Sequence, residues 1–203
     1  MRCFVTATDT DAGKTVACAW LMLHSEAKYW KPVQAGLEET DEASVRALTE
    51  LGDNRFHQTA FSLPEPLSPH ESARRAGITI DPAKLALPDN NGPLIVEGAG
   101  GLMVPLNDKM LVIDSIKQSA LPAILVCRTT LGTINHSLLS LEALRARDIP
   151  VAGIILSGTD IPHNRAAIEI YGKTRVIAHI PPLEPLDKAA LLAIKPEVDL
   201  GTL

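Results

Sequence analysis

The chain has 203 residues, the size of one domain with a single sizeable core. Hydrophobic residues make up 46% of it but aromatics only 3%, so the core must be built from Ala, Leu, Ile and Val. A formal charge of -5 without a basic tail speaks against a general nucleic-acid binder, and no apolar run approaches membrane-spanning length. Cys3, Cys18 and Cys127 lie in apolar runs without metal-ligand spacing, as reduced core thiols do. Met1 leads straight into strand-like residues, leaving no room for a signal peptide. The expectation is a soluble cytoplasmic α/β domain spanning 1–203.

In chain order, RCFVTA (2–7) reads as a buried strand and 13–27 as a helix that begins at the sequence Gly-Lys-Thr. YWKPV (29–33) reads as a short second strand limited by Pro32, and 41–51 as an amphipathic helix with Ala43, Ala47, Leu48 and Leu51 inward. Residues 52–92, punctuated by Pro64, Pro66, Pro69, Pro82 and Pro88, read as loops with short helices. Four apolar strands follow at 93–98, 122–127, 151–157 and 175–180, with helices near 111–119, 133–147 and 164–173 between them. Fully apolar strands separated by helices predict a mostly parallel sheet covered on both faces. Such a sheet takes its ligands beyond the carboxyl ends of its strands.

Those ends carry the chemistry-bearing residues. TATDTDAGKT (6–15) follows a strand and opens a helix, the context of a phosphate-binding loop, although Thr8 stands where that pattern has its first glycine. Free N–H groups at the helix start suit phosphate oxygens, Lys14 suits the β/γ-phosphates and the Thr15 hydroxyl suits Mg²⁺. Asp11 either faces a cationic substrate group or is a solvated loop residue. Lys31, in WKPVQAG, is either a site lysine or an exposed strand-end charge. VEGAGG (96–101) ends a buried strand on Glu97, a carboxylate that must be paired or bind metal, followed by glycines that let backbone approach a ligand. Asp41 stands at a helix start, where capping is its plain explanation. If Thr15, Asp41 and Glu97 converge, they make a hard-oxygen Mg²⁺ site completed by phosphates and water. Gly132 and Thr133 open another helix and offer free N–H groups to a carboxylate, while His136 reads as a packed histidine.

The segments FVTATDTDAGKT, KPVQAG, LSPHESA, IVEGAGGLMVPL, ILVCRTTLGTINH and AGIILS occur in the order and spacing of dethiobiotin synthetases, which the chain resembles over most of its length. The resemblance implies a three-layer P-loop NTPase-like fold and an ATP- and Mg²⁺-dependent enzyme. Its substrates would be 7,8-diaminononanoate and CO₂ (or bicarbonate), joined through a carbamate and a carbamic-phosphoric anhydride. It assigns Lys31 to the carbamate and γ-phosphate, Lys14 to the β/γ-phosphates, and Mg²⁺ to Thr15, Asp41 and Glu97. The nucleotide would lie along Asp11, Ala12, Gly13, Lys14, Thr15 and Val16, with Gly98, Ala99 and Gly100 nearby. Its base would meet Ser157, Gly158, Pro181, Pro182 and Leu183. Thr10, Asp11 and Ala35 would border the diamine. In the homodimer that the resemblance implies, Leu131, Gly132, Thr133, Ile134 and Asn135 of the partner would meet the substrate carboxylate.

Two positions depart from the family pattern. Ala35 offers no hydroxyl where Ser or Thr is usual, and Ser157 has one hydroxyl where Asn would present a bidentate amide. Two rivals remain. A partitioning ATPase of the deviant-loop class would carry a lysine at the loop's start, where this chain has Asp9. A cobyrinate-type amidotransferase ligase would need a separate glutaminase.

Overall fold

The computed structural model describes residues 1–88 and 92–203; the part of the loop expectation that falls on 89–91 lies outside them. Strand β1 (Arg2–Ala7) runs through a loop into helix α1 (Lys14–Leu23), followed by β2 (Lys28–Trp30), β3 (Val33–Ala35) and α2 (Asp41–Thr49). Short strands β4 (Phe56–His57) and β5 (Phe61–Leu63) precede α3 (Pro69–Arg75). Strand β6 (Leu94–Glu97) leads to a small hairpin of β7 (Pro105–Asn107) and β8 (Met110–Leu111), then α4 (Val112–Ser119). The chain then alternates through β9 (Ala123–Arg128), α5 (Thr133–Arg145), β10 (Val151–Ser157), α6 (Pro162–Gly172), β11 (Val176–Ile180) and α7 (Lys188–Ala193).

Among the described residues, seven strands form the central sheet in the order β11, β10, β9, β1, β6, β2, β4, and every pairing in it is parallel. Alternate residues of a strand point to opposite faces. Thus Cys3, Val5 and Ala7 of β1, Ile124 and Val126 of β9, and Ile155 of β10 join the buried face of α1 and α7. Phe4, Leu94 and Val96 turn instead toward α4, and Leu125, Cys127, Ile154 and Leu156 toward α5 and α6. Both faces are covered, giving three layers. The three cysteines are free and buried, and burial pushes the thiols of Cys3 and Cys127 up to about 12.

Three expectations need correction. The second strand is interrupted: Pro32 has no N–H to donate to a ladder, so β2 stops at Trp30, and beyond the break β3 pairs with β5 in a separate two-stranded sheet. Leu48 and Leu51 pack against the core as expected, but helix α2 buries Val45 and Thr49 while Ala43 and Ala47 are exposed. Asp41, Val45 and Thr49 recur at every fourth position, so the bulkier Val45 sets the inward face and carries Asp41 inward with it. The loop-rich stretch also holds β4 and β5, whose runs are too short to stand out by pattern.

Helix α1 is buried almost all round, with Trp20 fully enclosed and its Nε1 donating to the Ile194 carbonyl at 2.8 Å. That bond ties the helix to the chain's last segment. Trp20→Phe keeps an aromatic ring but removes the donor, so the stability measured by urea unfolding should fall by about 1–3 kcal/mol with an unchanged slope. An unchanged midpoint would show that water replaces the donor without cost.

Candidate active site

At the carboxyl ends of β1, β2 and β6 lies an open cleft of about 820 Å³, lined by Thr10, Asp11, Gly13, Lys14, Thr15, Val16, Lys31, Ala35, Asp41, Glu97, Ala99 and Gly100 among others. The loop from β1 makes its turns with Asp11 (φ 53) and Gly13 (φ 93), both left-handed. Alternating hands of this kind turn successive N–H groups to one side. Gly13 caps α1 without a side-chain acceptor, and no acidic residue stands in the first turn, so the first-turn amides face the cleft without a competing anion. Ala12 is buried beneath the loop. Asp9 faces away: its Oδ2 lies 2.6 Å from the Arg128 guanidinium at the end of β9, and its Oδ1 accepts from the Thr10 N–H.

The centre of the cleft is a compact ionic cluster. Trp30 of β2 pairs with Val96 of β6, so Lys31 emerges one step later opposite Glu97. Lys31 is 3% exposed and Glu97 is 0% exposed. The Lys31 ammonium sits 2.6 Å from Asp41 Oδ2, 3.0 Å from Glu97 Oε1 and 2.9 Å from the Gly98 carbonyl, which uses all three of its donors. Burial alone would lower the Lys31 pKa, but Glu97 and Asp41 outweigh it and the ammonium is held above its ordinary value. Burial opposes the Asp41 charge too, yet Lys31, Thr15 and Lys14 together hold that carboxyl below the aspartate range. The Thr15 hydroxyl lies 2.7 Å from Asp41 Oδ1 and 3.2 Å from Glu97 Oε1. Lys14 is also buried and donates to the Asp9 carbonyl at 3.3 Å; burial first, and then repulsion from Lys31, lower its pKa.

The alternatives left open by the sequence are thereby decided in part. Lys31 is no exposed strand-end charge. Thr40, not Asp41, caps α2, its side chain accepting from the Ala43 N–H, which frees the Asp41 carboxylate for the cluster. Asp11 is exposed and lines the cleft. His136 is a correction: it lies exposed near Gly132 rather than packed, because the buried residues of α5 are Thr133, Ser137, Leu141 and Leu144. Among the described residues no cluster of three or more His, Cys, Asp or Glu could hold a metal. The Thr15, Asp41 and Glu97 oxygens nevertheless fit a hard divalent cation that takes its remaining ligands from phosphate and water, since two carboxylates here already surround one positive charge.

Of the remaining assigned residues, Gly98 borders this centre and the others lie farther along the strand ends. Gly98 lies buried beside the cluster through its carbonyl. Ser157 and Gly158 end β10, where the Ser157 hydroxyl fills the space in which a Cβ on Gly13 would lie. Gly158 donates to the Ile180 carbonyl at 3.0 Å, so Pro181, Pro182 and Leu183 leave β11 beside it. Leu131, Gly132, Thr133, Ile134 and Asn135 are not among the cleft's lining. Helix α5 begins as α1 does, on a left-handed glycine (Gly132, φ 93) with no acidic first turn, and Leu131 before it is fully exposed. The sequence did not single out Gln34, whose Oε1 accepts from the Asp41 N–H at 3.1 Å and whose amide holds the Ala35 and Gly36 carbonyls. Nor did it single out Tyr29, whose hydroxyl donates to Glu97 Oε2 at 2.9 Å.

A parallel sheet with a glycine-started helix and a lysine–threonine pair at its central strand end defines a P-loop NTPase-like α/β protein. In keeping with this, 95% of the chain superposes on a ParA family ATPase from Chlorobium tepidum, covering 89% of that chain at a TM-score of 0.56 and 13% identity. A similar likeness holds for the septum site-determining protein MinD of Pyrococcus horikoshii in complex with Mg-ADP, at 0.55 and 16% over 95% of this chain and 86% of that one. At those identities the likeness is one of fold. Residues 1–190 match the family described as an AAA domain. In sequence the chain is 49% identical over 194 residues to the ATP-dependent dethiobiotin synthetase BioD of Paramagnetospirillum magneticum, spanning 95% of this chain and 94% of that one. It is 47% identical to the protein of the same name from Agrobacterium fabrum, over 94% and 91% of the two chains. The chain belongs to the ATP-dependent dethiobiotin synthetase family.

The ionic cluster makes a stability prediction. Lys31→Met keeps the side chain's reach but leaves two carboxylates without their counter-charge, and breaking a buried pair in this way costs about 3–5 kcal/mol. A loss of that size is expected in chemical unfolding at pH 7. Because the folded Asp41 carboxyl is depressed, the pair's contribution is present above the ordinary aspartate value of about 3.9 and is lost as pH falls through the folded value. The gap between wild type and variant should therefore narrow in acid; equal stability at pH 7 would remove Lys31 as the neutralising group.

Proposed function

We propose that this ATP-dependent ligase, which forms C–N bonds, closes the ring of dethiobiotin in the cleft described above. The substrates are 7,8-diaminononanoate, CO₂ (supplied as such or as bicarbonate) and ATP. The observation that carries this reading is the convergence of Thr15, Lys31, Asp41 and Glu97, from separate segments, against the start of α1, with Lys14 beside them. Residues 1–203 act as a single domain, in the cytoplasm. No helix among the described residues is long and apolar enough to cross a membrane, and the reading involves no membrane and no nucleic acid.

One diamine nitrogen captures CO₂ as a carbamate and releases a proton. A carbamate oxygen then attacks the γ-phosphate, ADP leaves, and a carbamic-phosphoric anhydride forms. The second nitrogen attacks the anhydride carbonyl, loses its proton, and expels phosphate. Bringing an anionic carbamate to an anionic phosphate requires fixed positive charge rather than a covalent nucleophile. Lys31 supplies it to the carbamate and γ-phosphate by giving up one of its present bonds to Asp41, Glu97 or Gly98, and Lys14 supplies it to the β/γ-phosphates. The amides from Asp11 to Val16 cradle the phosphates, with the Gly98–Gly100 backbone alongside. Thr15, Asp41 and Glu97 would hold Mg²⁺, which would neutralise phosphate oxygens. Ser157, Gly158 and Pro181 to Leu183 border the base. Thr10, Asp11 and Ala35 border the diamine. In a homodimer, Leu131 to Asn135 of one protomer would receive the substrate carboxylate of the other's cleft. The exposure of Leu131 and the unopposed start of α5 support that placement.

Incubation with diaminononanoate, bicarbonate, Mg²⁺ and each nucleoside triphosphate tests the reading, with dethiobiotin detected by mass. Product is expected with ATP. With one hydroxyl at Ser157 in place of an amide, ATP should be favoured over other triphosphates by less than about a hundredfold. Lys31→Met should cost on the order of a hundredfold or more in turnover with nucleotide binding within a few-fold. Product formation at the wild-type rate would take Lys31 out of the chemistry.

The shared site has its own test. Lys14→Ala and Gly132→Pro, the latter removing an N–H and distorting the start of α5, should each be inactive while folding and dimerising. Random exchange makes half of the dimers mixed, each with one intact site, so about a quarter of wild-type activity should return. Heterodimers without activity would place the whole site within one protomer.

A further inference from the structure

Glu97 is the only carboxylate of the cluster that is sealed from water, at 0% exposure. Its two oxygens are used differently. Oε1 faces the cleft, where it meets Lys31 Nζ at 3.0 Å and the Thr15 hydroxyl at 3.2 Å. Oε2 points back into the protein and accepts from the Tyr29 hydroxyl at 2.9 Å. Tyr29 is itself fully buried within the core beneath α1, its ring set edge-on to Phe56 at 5.9 Å. Tyr29 of β2 and Lys31, the residue that follows this strand, lie two residues apart beside β6, so one side of this stretch grips both oxygens of a single carboxylate. A carboxylate free to rotate about its terminal torsion has no preferred oxygen to present; one held from behind by a phenol does.

We infer that Tyr29 is a positioning residue for Glu97: its hydroxyl fixes the carboxylate with Oε1 toward the cleft and thereby sets the affinity of the site for a divalent cation. This deepens the reading above and rests on Glu97 being a cation ligand. Outer partners of ligating carboxylates commonly govern affinity by tenfold to a hundredfold. The ring's place in the core is a separate role, which Phe would keep.

The test is titration of Mn²⁺ alone as the probe into the full-length chain with ADP present, following the free-ion paramagnetic resonance signal. Wild type, Tyr29→Phe, Glu97→Gln and the double variant are compared, with ADP binding in chelator and thermal unfolding measured for each. Tyr29→Phe is expected to weaken Mn²⁺ about tenfold while metal-free ADP binding stays near wild type and the melting temperature falls only as loss of one buried hydrogen bond requires. Added to Glu97→Gln, it should cost little more, because the hydroxyl acts through the carboxylate. If Glu97→Gln leaves Mn²⁺ affinity unchanged, the ligand assignment itself fails and this inference falls with it. If Glu97→Gln weakens Mn²⁺ but Tyr29→Phe does not, the ligand assignment stands and Tyr29 is only a core residue. A Tyr29→Phe chain that loses Mn²⁺ and metal-free ADP binding together also overturns the positioning role.

Discussion

A lysine ammonium enclosed by two carboxylates and a carbonyl, with almost no solvent, is tolerable only when all of its donors and most of the carboxylate acceptors are matched. Lys31, Asp41, Glu97 and Gly98 meet that condition because three different stretches of chain deliver them to one point. Strand β6 lies between β1 and β2, so Glu97 at its end faces both the start of α1 and the residue that follows β2. The inward turn of α2 on Val45 brings Asp41 from the other side. The sheet order and the orientation of α2 therefore both serve one local charge balance.

A second ion pair settles the place of Asp9 in the loop before α1. Asp9 is drawn aside by Arg128, and its carbonyl, not its carboxylate, meets Lys14. The Asp9–Arg128 pair is half-exposed and worth little as stability. Its effect is geometric, since it joins the end of β9 to the loop and so fixes the approach to α5 relative to the approach to α1. The absence of a lysine at position 9, noted in the sequence, is thus a positive feature of the architecture.

Much of this was legible in the sequence because it is local. Apolar runs marked β1, β6, β9, β10 and β11, and a glycine–lysine–threonine helix start needs only its own neighbours to be recognised. A buried strand ending on Glu97 announces a partner without naming it. Tyr29, Gln34 and Arg128 escaped notice for the opposite reason: each acts on a residue brought near by strand order or by a break in a strand. No periodicity states that β6 will insert between β1 and β2, or that Pro32 will divide one expected strand into two in separate sheets. The misjudged inward face of α2 had a simpler cause. Alanines count as apolar in a pattern but fill little space, and one valine outweighed two of them.

The contact between Ser157 and Gly13 carries a consequence for how selectivity can change in this chain. The serine hydroxyl occupies the volume just outside the Gly13 backbone, at the left-handed turn that opens α1. The end of β10, proposed above to border the base, and the loop that opens onto the cleft are thus in direct steric contact rather than joined through a spacer. A larger side chain at position 157 must turn away from Gly13 or press on the loop. On the proposed reading, changes there would alter base preference and phosphate placement together, so the smallness of Ser157 is a dimension of the loop as much as a choice of hydrogen-bonding group.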